Sequence, residues 1–235
     1  MSDGLAYFKE VYGAVPGWVG KMHAYRPDAL DHYTNLRSAI MEDGLLSGKK
    51  KDLLLVGINA ARCYERSMVY HTKGAIDGGA TIPELIEHLL VAYRYGGQNA
   101  LRTGVQAVKT ALSLKGLPNG HVLYVYELEN VLHYFMSILE EEDAPYVANI
   151  LKAPVELWDD LLLVKGAVSA KMKSLLMVGI HSTGLQGREA RKWMEKARAK
   201  GATEGELAEV GLICLLTAGI PAWFEASDAL LEGGG

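Results

Sequence analysis

The sequence predicts an all-α protein built from two tandem copies of one multi-helix unit. Three observations carry that reading. The chain matches itself at a fixed offset over most of its length, no stretch sustains the period-2 alternation of a half-buried strand, and helix caps recur at corresponding places in the two copies. Aligning Lys49–Ala100 with Lys171–Ala222, an offset of 122, gives 18 identities in 52 positions. Chance would give about 3–4 for average residue frequencies. Leu53, Leu54, Val56, Gly57 and Ile58 return as Leu175, Leu176, Val178, Gly179 and Ile180, and Gly79-Ala80-Thr81 returns as Gly201-Ala202-Thr203. Upstream the match continues at an offset of 127, pairing Tyr7 and Phe8 with Tyr134 and Phe135. The units are taken as 1–120 and 121–235, with a seam near Gly116-Leu117-Pro118-Asn119-Gly120, whose Pro and Asn-Gly are turn chemistry.

Within the first unit, Pro27 suits the first turn of a helix running to Met41. Lys51–Arg62 is apolar nearly all round; its length and Leu/Ala content favour a buried helix over a strand. A second helix is expected from Tyr64 to Asp77, stopped at Gly78-Gly79. Thr81 and Glu84 form a capping-box pattern, repeated by Thr203 and Glu206, and open a third helix with Leu85, Ile86, Leu89, Leu90 and Tyr93 on one face. Gly96-Gly97 interrupts it before Gln98–Leu114 resumes.

Composition narrows the function classes. A net charge of -4 and a pI near 6.0 offer no footprint for nucleic acid or an anionic membrane. No apolar run approaches bilayer-spanning length, and Met-Ser-Asp-Gly does not read as a signal peptide. Two cysteines, Cys63 and Cys214, exclude a disulfide framework and point to a reducing, cytoplasmic setting. The remaining histidines (His23, His32, His88, His121, His133, His181) show no metal-ligand spacing, and no phosphate-binding glycine loop follows a strand. Neither metal nor other cofactor is therefore expected.

The run Lys51-Asp-Leu-Leu-Leu-Val-Gly-Ile-Asn-Ala-Ala-Arg-Cys63, then His71, then Gly78-Gly-Ala-Thr-Ile-Pro-Glu-Leu-Ile-Glu87, then Ala92 to Gly97, resembles the alkylhydroperoxidase D / carboxymuconolactone decarboxylase family. The upstream Tyr12-Gly13-Ala14-Val15-Pro16 is similar to that family's opening segment. The resemblance covers most of the first unit and implies an AhpD-like helical fold. In the peroxidase branch a Glu is followed, twelve residues on, by Cys-x-x-Cys-x-x-x-His. Anchored on His71, those places hold Asp52, Tyr64 and Ser67, so both dithiol cysteines are missing. The decarboxylase branch carries a Glu four residues before the His, where this chain again has Ser67. In the second unit the corresponding residues are Ser174, Gln186, Glu189 and Trp193.

His71 leads the candidates, because imidazole titrates near neutrality; a core histidine satisfied by one hydrogen bond is the plainer account. Cys63, Ser67 and His71, spaced i, i+4 and i+8, are expected to form one helical stripe, although a free Cys is often merely core. Asp52 enters through the resemblance; otherwise an acid opening a helix is a dipole partner. Tyr64 is a possible phenol donor to substrate or a packed aromatic. Glu189 sits between Arg188 and Arg191, where a solvated ion pair suffices. Cys214 reads as core.

Three functions follow, the first of them preferred. The first is a cofactor-independent decarboxylase-like enzyme using His71 as general acid/base on a small carboxylated substrate, with Tyr64, Ser67 and Asp52 orienting it. The others are a single-cysteine thiol peroxidase acting through Cys63, and a non-catalytic ligand-binding or assembly scaffold. Cys63 and Cys214 are not expected to pair. His71 is expected to line a partly apolar pocket, with Trp193 filling the matching space in the second unit. Single-unit family members assemble into trimers or hexamers, so the resemblance implies a homo-oligomer: a trimer of tandem chains first, a dimer next. Glu189 could then approach His71 within or between chains.

Overall fold

The structure is a computed structural model that describes residues 3–120 and 127–232. Among them lie thirteen α-helices and no strand. The first unit contains α1 (Gly4–Tyr12), α2 (Gly17–Tyr25), α3 (Pro27–Met41), α4 (Gly48–Ala61), α5 (Glu65–Asp77) and α6 (Ile82–Leu114). The second contains α7 (Leu128–Ile138), α8 (Ala144–Lys152), a 3-10 turn at Val155–Leu157, then α9 (Trp158–Leu162), α10 (Ala170–Thr183), α11 (Gly187–Ala199), α12 (Glu204–Ala218) and α13 (Ile220–Ser227). Among the described residues no helix is long and apolar enough to cross a membrane.

Both capping boxes form. Thr81 accepts from the Glu84 amide while Glu84 accepts from the Thr81 amide, and Thr203 and Glu206 repeat the exchange. The expected break in α6 is a kink at Gly97, where φ 65° and ψ -155° interrupt an otherwise continuous helix. Its repeat partner Gly219, at φ 80° and ψ -177°, separates α12 from α13. Only glycine visits this backbone region readily, which accounts for the identity at that position in both copies.

The core explains why α4 and α10 read as apolar all round. Leu53–Ala61 of α4 and Met172–Thr183 of α10 are buried, and the two helices pack on each other across the unit boundary. Contact is close at the repeated glycines. A Cβ at Gly57 would lie 2.8 Å from Leu176 Cδ1, and one at Gly179 would lie 3.1 Å from Ile58 Cγ1.

A reciprocal clasp joins the units. Glu87 of α6 reaches the loop before α10, accepting from the amides of Ala167 (2.7 Å) and Val168 (3.1 Å) and from Lys173 Nζ (2.7 Å). Glu209 of α12 does the same to the loop before α4, accepting from Leu45 and Leu46 (2.9 Å each) and Lys51 Nζ (3.2 Å). The lysines complete the correspondence by donating to Val164 O and Glu42 O. Every participant has its counterpart 122 residues away. Buried charges persist only when paired and hydrogen-bonded, and here each carboxylate caps three donors of the other unit.

A second, smaller apolar cluster lies apart from the main core. Phe8, Val19 and Leu30 of α1–α3 form its centre, with Tyr12, Trp18 and Tyr33 packed around them. Phe8 contacts Trp18 edge-on at 5.0 Å between ring centroids.

Candidate functional site

A cavity of about 370 Å³ lies between this aromatic cluster, α5 and the end of α12. From α1–α3 it is lined by Phe8, Tyr12, Trp18, Tyr33 and Arg37; from the start and first turns of α5 by Tyr64, Arg66, Ser67, Tyr70 and His71. The second unit closes it with Leu216 and Thr217. Thr217 is held by the first unit: its hydroxyl donates to Asn59 Oδ1 (2.6 Å), and Arg62 donates to its carbonyl (2.6 Å).

His71 and Asp52 come together. Asp52, on the first turns of α4, places Oδ1 2.7 Å from His71 Nδ1 on α5. An ionised carboxylate only accepts, so Nδ1 carries the hydrogen and Nε2 is the basic nitrogen. Gly74, one turn beyond His71, makes the approach possible, since a Cβ there would lie 2.8 Å from Asp52 Cγ. Burial pulls the His71 pKa down, the Asp52 hydrogen bond and charge push it up, and Arg37 pulls it down again; the net direction is down from its ordinary value. His71 is thus a neutral base at neutral pH.

Arg37 is a site residue that sequence reasoning missed. It is 6% exposed, and its Nη2 donates to Tyr12 Oη at 2.7 Å. Among the described residues no carboxylate pairs with it, and no lining residue of the cavity is acidic. The sequence does carry a signal. Leu30, Thr34, Arg37 and Ile40 are the buried face of α3, so an arginine stands on an apolar stripe.

The remaining candidates fall on both sides of the expectation. Ser67 and Tyr64 line the cavity, Tyr64 half-exposed at its mouth. Cys63 does not share a helical stripe with them. It occupies the turn between α4 and α5 with φ 56°, exposed, and α5 begins only at Glu65. The left-handed residue ends one helix and starts another, so the i, i+4, i+8 geometry does not arise; Leu185 makes the same turn in the second unit, also at φ 56°. Glu189 does not approach His71 within the chain. It binds Lys192 at 2.6 Å on the surface of α11. Trp193 packs partly buried against the main core with Lys196 Nζ 4.0 Å from its ring centroid. Ser174, where the first unit has Asp52, turns back to bond Ala170 O. Cys214 is core, its thiol pKa pushed up to about 12 by burial.

Fold and site define a class: a duplicated helical protein with one histidine–carboxylate pair at an aromatic, arginine-bearing cavity. The sequence profile of the carboxymuconolactone decarboxylase family matches residues 27–110 and again 148–232, and the chain belongs to that family. No curated protein sequence matches the chain. Among solved structures it is similar to a Burkholderia xenovorans protein described as a candidate gamma-carboxymuconolactone decarboxylase subunit. The two share 19% identity over 95% of this chain and 93% of that one, with a TM-score of 0.59, a likeness of fold.

Proposed function

We propose that the chain is a cofactor-independent, decarboxylase-like acid–base enzyme acting on a small carboxylated substrate, with His71 as the proton-transfer group. The observation that carries this reading is the cavity itself, where an Asp52-oriented imidazole shares one wall system with a buried arginine and no acidic side chain. A carboxylate entering it meets the Arg37 guanidinium, whose planar array of donors matches carboxylate geometry. The aromatic walls take up an apolar body and exclude water, which strengthens each charge interaction.

In the decarboxylation step the bond to the departing carboxylate breaks and its electron pair passes to the substrate as an enolate. Carbon dioxide leaves; His71, neutral at rest, takes up a solvent proton at Nε2, and the protonated ring passes it to the carbon and returns to the neutral form. Asp52 stabilises that protonated form and holds the ring in one orientation. Cys63 lies outside the cavity, so the geometry gives the thiol-peroxidase alternative no support.

The test is release of ¹³CO₂ from carboxyl-labelled small oxo-acids, oxaloacetate and acetoacetate among them, followed by NMR. The full chain is expected to release label above the buffer rate, and His71→Gln to lower the rate by about 10²–10⁴-fold. A chain that releases none from any member of such a panel sinks the reading.

A further inference from the structure

We propose that the same cavity also catalyses enolisation of 2-oxo carboxylic acids bearing a flat apolar substituent, with the Tyr12 hydroxyl as the oxyanion donor. This rests on the reading of His71 as a proton-transfer group and adds a second activity and a catalytic residue. The Tyr12–Arg37 pair supplies two donors to the cavity. Tyr12 Oη accepts from Arg37 Nη2 at 2.7 Å, so its own hydrogen is left for an acceptor in the cavity that both residues line. A phenol accepting from a guanidinium is polarised toward donation. Burial raises the Tyr12 pKa, so the hydroxyl keeps its proton at neutral pH.

The pair lines the same cavity as the base. The Tyr12 ring packs on Tyr70, the residue preceding His71, at 4.7 Å between centroids. Arg37 is close enough for its charge to lower the His71 pKa. Two neighbouring donors of this kind, one cationic and one neutral, fit a ligand with a carboxylate and a carbonyl oxygen on adjacent carbons. A 2-oxo acid is that ligand: the carboxylate meets Arg37, and the 2-oxo oxygen meets Tyr12. Trp18 and Tyr70 then offer ring surfaces to an aromatic group on the next carbon.

The chemistry balances without any co-reactant. His71 Nε2 takes a proton from the carbon next to the 2-oxo group. The C–H electron pair becomes the C=C bond of the enolate, and the C=O π pair moves onto the 2-oxo oxygen, which accepts a hydrogen bond from the Tyr12 hydroxyl. The proton on Nε2, or a solvent deuteron exchanged onto it, returns to the same carbon.

Phenylpyruvate is the probe. In D₂O the loss of its methylene ¹H signal reports proton abstraction alone, because no carboxylate departs. The full chain is expected to exchange the methylene protons faster than buffer, with benzoate inhibiting competitively. Tyr12→Phe is expected to lower kcat for exchange by about 10²-fold or more while KM changes little. Wild-type exchange at the buffer rate overturns the proposal without recourse to any variant, and so does a folded Tyr12→Phe chain that exchanges like wild type. Labelled-CO₂ release from oxo-acids separates the two activities: release without phenylpyruvate exchange sinks enolisation alone, and exchange without release sinks decarboxylation alone.

Discussion

Replacing Glu87 with alanine removes one half of the clasp between the units and leaves Lys173 without its counter-ion. The Lys173 side chain is 0% exposed and that of Glu87 4%, so this ammonium cannot recover its solvation from water. Two supports survive, the Val164 carbonyl at 2.7 Å and the Tyr146 ring at 4.0 Å. Breaking a buried pair by removing one partner costs about 3–5 kcal/mol. For a chain of this size that is a fall of about 6–20 °C in Tm. Glu209→Ala should cost less, about 2–4 kcal/mol. Lys51 is nearly as buried as Lys173 at 3% exposed, but Glu209 is 19% exposed, so water can enter in its place and reach the Leu45 amide. Urea unfolding followed by circular dichroism, at one fixed protein concentration, measures both. Glu87→Met combined with Lys173→Met should recover only the part of the loss due to the unpaired ammonium, since the Ala167 and Val168 amides still lack their acceptor. Equal costs for Glu87→Ala and Glu209→Ala, or a Glu87→Ala cost below about 1 kcal/mol, would refute the reasoning from burial.

Other outcomes follow from particular residues. Cys63→Gly should stabilise the chain by about 1 kcal/mol in urea unfolding, because φ 56° strains any side chain but suits glycine, and should leave label release from oxo-acids unchanged. Gly74→Ala should cut that release at least about 10-fold with the helical signal retained, because the new Cβ displaces Asp52 from His71; wild-type turnover would contradict the positioning. His88, 1% exposed, has its pKa pushed down to about 4, chiefly by burial. Its folded value lies below the unfolded one near 6.5, so its contribution is fully present above pH 6.5 and is lost as pH falls toward 4. That amounts to about 3 kcal/mol, and His88→Asn should flatten the loss in a pH series of urea midpoints.

What the sequence revealed and what it hid have physical reasons. The all-helical duplication was legible because its signals are local or repeated: the two capping boxes, the kink glycines Gly97 and Gly219, and the α4/α10 run whose identity reflects burial on every side. Asp52 and His71 could be paired only through the family resemblance, since 19 residues and a turn separate them. The turn at Cys63 was invisible because neither Gly nor Pro marks it, and without it the helical stripe looked continuous. Arg37 was visible as a charge on an apolar stripe, but its meaning depends on α3 facing α5 across the cavity, a tertiary fact. Thr217 is likewise a long-range contribution, brought to the cavity only by the packing of the second unit on the first.

The central claim is that His71 is a poised base beside an anion-binding arginine. It is tested most directly by ¹⁵N NMR titration of the histidine side chains with and without benzoate, a carboxylate that offers no proton to abstract. Without ligand, His71 should appear as the Nδ1–H form and titrate below 6.5. Burial is the main cause of the lowered His71 pKa and the Arg37 charge adds to it. Benzoate bound at Arg37 cancels that added part, so saturation should raise the pKa, and Arg37→Met should abolish both binding and shift. A His71 resonance indifferent to saturating benzoate, or an Arg37→Met chain that binds benzoate as tightly as wild type, would contradict the account.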